Sequence, residues 1–119
     1  MKSIPYGRQY IDKKDIEAVV STLQSDYLTQ GPKVKEFEDK FAEYVGSKYS
    51  ISVNNATSGL HLAVLALGLK KGERVITTPI TFAASANCVR YVGGEVWFAD
   101  INKDSYLLCL KSTRKLIES

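Results

Sequence analysis

The amino-acid sequence predicts an α/β fold in which two one-sided helices precede a layered sheet. From residue 49 onward, short β-branched runs alternate with helical segments. Strands that alternate with helices of about ten residues are typical of βαβ units. Hydrophobic residues make up 45% of the chain and charged residues 24%, as in ordinary globular proteins. A chain of 119 residues is long enough to bury one core.

The first predicted helix follows Asp12, a residue type that caps helix N-termini well. Asp15 adds a negative charge to the first turn, where it interacts favourably with the helix dipole. Apolar residues then recur at i, i+3, i+4 and i+7, which indicates that one face of the helix is buried. That face comprises Ile16, Val19, Val20 and Leu23.

The second predicted helix is separated from the first by a loop at residues 25–31. Pro32 suits the first position of a helix, and Gly46 is a typical residue to end one. The predicted buried face comprises Val34, Phe37, Phe41, Tyr44 and Val45. We expect residues 1–48 to form an N-terminal arm with these helices and residues 49–119 to begin the sheet.

Strands are predicted at 49–53, 74–78 and 95–99, and helices at 58–67, at 81–91 and from about residue 113. The helix at 58–67 is apolar nearly all round and needs cover on several sides, more than this short chain offers. Three strands alone would also leave open sheet edges. We therefore expect an incomplete sheet.

Composition excludes several classes of function. The net charge is only +3 and the lysines are interspersed with acids, so no nucleic-acid surface is predicted. Cys88 and Cys109 form no C-x-x-C pattern, and the only histidine, His61, lies in an apolar run, which indicates reduced thiols and no metal site. No apolar stretch is long enough to span a bilayer, and the polar start lacks a signal peptide. We expect a cytoplasmic protein.

A candidate anion site lies at residues 53–60, where a predicted strand turns into a helix through small polar residues. Unpaired N–H groups and partial positive charge at a helix start attract anions. Thr57 and Ser58 could add hydroxyl donors, while Ala56 and Gly59 would let a phosphate approach the backbone. The alternative is that these residues only cap the helix. Neither a dinucleotide motif nor a P-loop is present.

Two further stretches could contact a ligand. Phe82 follows a predicted strand, at the edge where α/β proteins bind ligands, and could stack on a planar heteroaromatic ring. Its alternative role is that of a core phenylalanine, and Asn87 in the next helix either lines a site or lies on the surface. Tyr6 and the loop at 25–31 have a composition common in ligand-binding loops, and also in ordinary ones.

Five motifs occur in the order IPYGRQYID, SDYLTQGP, NNATSGLHLA, TPITFAASANC and VWFADI. In this order and spacing the chain, as far as about Leu108, resembles the DegT-type nucleotide-sugar aminotransferases. These are fold type I enzymes that depend on pyridoxal 5'-phosphate (PLP). The resemblance implies that the chain is the N-terminal part of the large PLP-binding domain. Asn55, Gly59 and Cys109 depart from the residues usual in the family.

The resemblance also implies a role for each candidate residue. Ala56, Thr57 and Ser58 would hold the phosphate of PLP, and Phe82 would stack on its pyridine ring. The residues expected to contact the nucleotide-sugar are Tyr6, Asp26, Tyr27, Leu28 and Thr29.

The activity implied is transfer of an amino group from glutamate to C4 of a UDP-linked 4-keto-6-deoxy-N-acetyl sugar, as in pseudaminic acid biosynthesis, by a homodimer. We expect the lysine that forms the Schiff base to lie beyond Ser119, together with the C-terminal domain, so that the chain alone is inactive. Two alternatives are a related aminotransferase or dehydratase for another keto-sugar, and a non-catalytic fragment that pairs with a full-length subunit.

Overall fold

A computed structural model describes residues 4–119 of the chain. This range contains five helices and two strands and divides into two compact units, with the boundary between Ser52 and Val53. No helix in it has the length and apolar character needed to cross a membrane. The elements are α1 (Lys13–Leu23), α2 (Pro32–Val45), α3 (Ala56–Ala66), β1 (Arg74–Thr77), α4 (Ala84–Tyr91), β2 (Glu95–Phe98) and α5 (Leu110–Ile117).

In the first unit, α1 begins with a capping box. The Asp12 carboxylate accepts hydrogen bonds from the N–H groups of Lys14 (2.8 Å) and Asp15 (3.1 Å). In return, the N–H of Asp12 donates to the Asp15 carboxylate at 2.9 Å. These reciprocal bonds satisfy backbone donors that the helix itself leaves unpaired. The prediction of Asp12 as N-cap is confirmed.

The ends of α2 are also where the sequence predicts them. Pro32 occupies the first position, and Gly46 ends the helix with a φ of 70°, a left-handed conformation that glycine adopts without steric cost. Hydrogen bonds from Lys33 and Lys40 to the Glu36 carboxylate lower the pKa of Glu36 to about 2. That carboxylate is therefore ionised at neutral pH, and this part of the helix is a charged surface.

The predicted buried faces of α1 and α2 are wrong for this chain. The described part of the first unit, residues 4–52, has no layer that covers them, and its buried hydrophobic residue is Ala42. Phe37 and Phe41 contact each other, with ring centroids 5.9 Å apart, yet Phe41 remains 48% exposed. The side chains that were expected to be buried and are exposed are Ile16, Val19, Val20, Leu23, Val34, Phe37, Phe41, Tyr44 and Val45.

The second unit is built on a parallel pair of strands. β1 and β2 pair in register from Arg74 opposite Glu95 to Thr77 opposite Phe98, and α4 connects them. This is the predicted βαβ unit, and the α/β class is confirmed. The predicted strand at 49–53 is wrong for this chain, because neither β1 nor β2 pairs with it. The N–H and hydroxyl of Ser52 instead donate to Glu38, at 2.8 and 3.1 Å.

The core of the second unit lies around α4, which packs against α3 and both strands. Ala84, Cys88 and Val89 of this helix are buried, as is Ala99 just after β2. The apolar helix α3 has no fully buried residue, in line with the expectation that it needs more cover. Predicted helix starts are displaced by two or three residues: α3 begins at 56 rather than 58, α4 at 84 rather than 81, and α5 at 110 rather than 113.

Gly94 is required by this packing, because a Cβ there would lie 2.8 Å from Val89 Cγ1 and 3.1 Å from Leu69 Cδ2. We expect Gly94→Ala to lower the free energy of unfolding by about 1–3 kcal/mol, the usual cost of overpacking a core. Gly7→Ala is the matched control, since no atom lies within 4 Å of its added Cβ. Chemical unfolding of the two variants would show the difference; equal stabilities would contradict the packing described.

Candidate functional site

The N-terminus of α3 has backbone N–H groups that make no hydrogen bond within residues 4–119. Asn55 is its N-cap, and the Asn55 side-chain oxygen accepts from the N–H of Ser58 at 2.9 Å. The Asn55 carbonyl accepts from the N–H of Gly59 at 3.2 Å. Among residues 4–119, no acceptor lies within bonding distance of the N–H groups of Ala56 and Thr57. Two donors at the positive end of the helix dipole are thus left for an anion.

Small polar residues surround these donors. Ala56 is exposed, and Thr57 and Ser58 are half-buried; neither hydroxyl has a hydrogen-bond partner in the described part of the chain. A Cβ added at Gly59 would lie 3.4 Å from Val53 Cγ2, an ordinary contact distance, so the helix passes close to the preceding segment at this position. The donors and hydroxyls at 56–58 are the part that can bind an anion.

The starts of the two preceding helices are chemically different. The first turn of α1 carries Asp15, whose carboxylate already accepts a backbone hydrogen bond and repels a second anion. The first position of α2 is Pro32, which has no N–H to offer. The first turn of α3 has no acidic residue. Among these three helix starts, that of α3 suits an anion best.

Phe82 lies in the turn between β1 and α4, which leaves the sheet at the carboxyl end of β1. The residue is 76% exposed, so it is not a core residue of the second unit. No aromatic ring pairs with it among the residues that the structure describes. The Phe82 carbonyl accepts a hydrogen bond from the N–H of Ser85 at 3.0 Å. The ring is therefore available to a ligand.

The second unit holds together the helices that carry these candidates. α3 packs against α4, and the rings of His61 and Tyr91 meet edge to face at 5.2 Å. The phosphate candidates stand at the start of α3, and Phe82 stands two residues before α4. One packed pair of helices thus supports both sets of residues.

The predicted sugar-binding residues lie in the first unit. Tyr6 is exposed outside the helices, and Tyr27 is 66% exposed in the loop between α1 and α2. The Ser25 hydroxyl lies 2.7 Å from the Thr22 carbonyl oxygen and 3.2 Å from that of Tyr27, and either oxygen can accept its one proton. The other members of the predicted set are also exposed: Asp26, Leu28 and Thr29.

Asn87 is exposed on α4 and lines an open cleft of about 590 Å³ beside β2. Trp97 also lines this cleft, and the Arg74 guanidinium lies 4.0 Å from the centre of its ring. The sequence patterns did not single out Arg74 or Trp97. Their contact depends on the pairing of β1 with β2, which no local signal specifies.

The sequence patterns also missed a pair of hydroxyl groups beside Phe82. The side-chain oxygens of Thr81 and Ser85 lie 3.2 Å apart. The signal available was their i, i+4 spacing at a helix start, which places two side chains on one side of a helical turn.

The sequence profile of the DegT/DnrJ/EryC1/StrS aminotransferase family matches residues 9–119. The parallel βαβ unit, the donor-rich helix start and this match together define the class of protein. The chain belongs to the DegT/DnrJ/EryC1/StrS aminotransferase family. The resemblance inferred from the five motifs is confirmed.

Individual relatives have different descriptions. The chain is 44% identical over 116 residues to the UDP-4-amino-4,6-dideoxy-N-acetyl-beta-L-altrosamine transaminase of Campylobacter jejuni, covering 98% of this chain and 31% of that protein. It is 42% identical over 102 residues to the spore coat polysaccharide biosynthesis protein SpsC of Bacillus subtilis, covering 86% and 26%. The chain thus spans less than a third of the length of these relatives.

A solved structure agrees closely with the fold. A Streptococcus pneumoniae protein described as a sugar aminotransferase, in its PLP form, superposes with a TM-score of 0.91 at 30% identity. The match covers 96% of this chain and 29% of that protein. The chain therefore has the fold of the N-terminal part of a fold type I aminotransferase.

Asn55 stabilises the helix start that carries the candidate donors, whereas Asn54 makes no side-chain hydrogen bond within residues 4–119. We expect Asn55→Ala to lower the free energy of unfolding by about 1 kcal/mol, the usual cost of losing an N-cap. Asn54→Ala is the matched control and should leave stability nearly unchanged. Thermal unfolding of both variants makes the comparison, and a larger loss from Asn54→Ala would contradict the capping geometry.

Proposed function

We propose that this chain supplies the phosphate- and ring-binding residues of a PLP-dependent nucleotide-sugar aminotransferase. The observation that carries the proposal is the start of α3, where two N–H groups and two hydroxyls have no partner among residues 4–119. Family membership supports it, as does the likeness to a sugar aminotransferase in its PLP form.

The residues at this helix start fit the phosphate of PLP chemically. The N–H groups of Ala56 and Thr57 would donate to its oxygens, and the hydroxyls of Thr57 and Ser58 would add two donors. Charge-assisted hydrogen bonds of this kind are about twice as strong as neutral ones. PLP, when bound, supplies an electron sink for the reacting carbon. The contribution of this chain is to hold and orient it.

Phe82 would cover one face of the pyridine ring. An exposed aromatic side chain in a turn can stack on a planar heterocycle, because offset stacking of two rings is favourable. Stacking also removes water from the two ring surfaces that come into contact. The 76% exposure of Phe82 and its place at the carboxyl end of β1 support this role.

For the sugar substrate we propose a UDP-linked 4-keto-6-deoxy-N-acetyl sugar, aminated at C4 with glutamate as donor, as in pseudaminic acid biosynthesis. The 44% identity to the Campylobacter jejuni transaminase supports this choice. The comparable 42% identity to SpsC keeps a different sugar as the alternative. The proposed sugar contacts are Tyr6, Asp26, Tyr27, Leu28 and Thr29, all of them exposed.

The remaining catalytic parts are proposed to lie outside these residues. The chain corresponds to 26–31% of the length of the relatives described above. We propose that the Schiff-base lysine and the C-terminal domain lie beyond Ser119, that both units belong to the large PLP-binding domain, and that the enzyme acts as a cytoplasmic homodimer. The 119 residues alone would then be inactive, whether isolated or paired with a full-length subunit.

Thr57→Val tests the phosphate site, because it removes one hydroxyl donor and keeps the shape of the side chain. The probe is pyridoxamine 5'-phosphate, whose binding needs no covalent bond to a lysine. We expect the variant to raise its Kd about tenfold, the effect of losing one hydrogen bond to a charged group. Titration by ligand fluorescence, with the protein at the full length that its gene encodes, gives the Kd.

Thr22→Val is the matched control for this test, since the Thr22 hydroxyl bonds only to the Ala18 carbonyl within α1. It should leave the Kd unchanged. Inorganic phosphate should compete with the probe in the unaltered protein and compete less well in Thr57→Val. If Thr57→Val binds both ligands as tightly as the unaltered protein, the phosphate site is not at the start of α3.

Tyr27→Ala tests the sugar-binding loop. We expect a KM for the UDP-sugar raised about tenfold with kcat little changed, because the contact would be the same in the ground state and the transition state. The matched control is Tyr106, which is 74% exposed in a turn of the second unit, and Tyr106→Ala should leave both constants unchanged. The measurement is glutamate-dependent formation of the 4-amino sugar.

The same assay distinguishes the alternatives. A product that has lost a hydroxyl and gained no nitrogen would identify a dehydratase and overturn the aminotransferase proposal. Faster turnover of a different nucleotide-linked keto-sugar would overturn the assignment to pseudaminic acid biosynthesis while leaving the aminotransferase class intact.

A further inference from the structure

We infer that Thr81 and Ser85 act as positioning residues that set the direction of the Phe82 ring. We call them the hydroxyl pair. The inference rests on the proposed function, in which Phe82 stacks on the cofactor ring. It assigns the hydroxyl pair a role in cofactor affinity, in addition to any part it plays at the start of α4.

The position of Phe82 creates the need for such a device. Residues 78–82 lie outside both β1 and α4 and precede the N-cap of α4, so neither a strand ladder nor a helix fixes their backbone. Phe82 is 76% exposed, and its side chain has little packing within its unit to restrict it. A mobile side chain would lose conformational freedom on stacking, and that loss weakens binding.

Ser85 contacts the chain both before Phe82 and at the Phe82 carbonyl. Its hydroxyl lies 3.2 Å from the hydroxyl of Thr81, the residue before Phe82. Its N–H donates to the carbonyl of Phe82 itself at 3.0 Å. The Phe82 Cα therefore lies between two points that are tied to the same serine.

Ser85 can serve as an anchor because α4 is the best-buried element of the unit. The neighbouring Ala84 is 3% exposed and Val89 is 1% exposed. The Cys88 thiol donates to the Ser85 carbonyl at 3.5 Å, within the same helix. A second contact steadies the beginning of the turn, where the Thr78 hydroxyl donates to the Ile80 carbonyl at 3.3 Å.

A simpler role for the hydroxyl pair is to stabilise the first turn of α4. The two roles differ in what they predict once the Phe82 ring is removed. A stabilising role would change the affinity by the same factor with or without the ring. A positioning role acts through the ring, so its effect disappears when the ring is absent. A double-mutant cycle measures this coupling directly.

The experiment titrates pyridoxamine 5'-phosphate into the protein at the full length that its gene encodes. The variants are Thr81→Val, Phe82→Leu and the double variant. We expect Thr81→Val to raise the Kd about three- to tenfold. Without the contact between the two hydroxyls, the turn would lose conformational freedom when the ligand binds, and that loss weakens binding. The double variant should match Phe82→Leu alone. Affinity for inorganic phosphate, which has no ring, should not change in any of them.

Thr81→Ser is the matched control, since it keeps the hydroxyl and loses only a methyl group; it should restore the affinity lost in Thr81→Val. If the effects of Thr81→Val and Phe82→Leu multiply in the double variant, or if Thr81→Val also weakens inorganic phosphate, the positioning role is wrong. If Phe82→Leu itself leaves the Kd unchanged, the stacking part of the proposed function is wrong, and the positioning role with it. If Phe82→Leu raises the Kd and Thr81→Val does not, the positioning role of the hydroxyl pair is wrong and the stacking role of Phe82 stands.

Discussion

The hydrogen-bond donors at the start of α3 are the feature on which the candidate site depends. A helix leaves its first N–H groups without internal partners, and each must find a side chain, water or ligand. α1 meets most of this requirement within itself, because Asp12 and Asp15 pair the N–H groups of residues 12, 14 and 15. α3 meets it only in part, since Asn55 takes the N–H of Ser58 and leaves the two before it. Incomplete capping costs some helix stability and keeps a site open for an anion.

Features that depend on neighbours in sequence could be predicted from the sequence alone. Asp12, Pro32 and Gly46 act within one turn of a helix, and all three have the expected roles. Burial was different. Periodicity shows which side of a helix is apolar, but it does not show what covers that side. For α1 and α2 the expected faces exist and remain exposed, because no layer packs over them within the part of the first unit that the structure describes.

The same distinction between local features and features that depend on distant residues applies to the strands and to the candidate site. β1 and β2 were predicted correctly because each has its partner within the chain, whereas residues 49–53 have none. A strand is defined by its partner, and Ser52 satisfies its N–H with Glu38 instead. Sequence reasoning located the turn that opens α3 to within two residues, because capping is local. It left Phe82 open between core and surface, since only the packing of α4 shows that the ring is outside the core.

The two halves of the proposed cofactor site differ in what they can discriminate. Backbone N–H groups at a helix start bind any phosphate, because they interact with its charged oxygens and do not contact the rest of the ligand. An aromatic ring in a turn favours a planar partner and is sensitive to small changes of angle. In the proposed site, selection of the cofactor over other phosphorylated molecules would therefore depend on Phe82 and the contacts that orient it. Selection among sugars would depend on neither, and in the proposed function it belongs to loops such as that around Tyr27, where changes need not disturb cofactor binding.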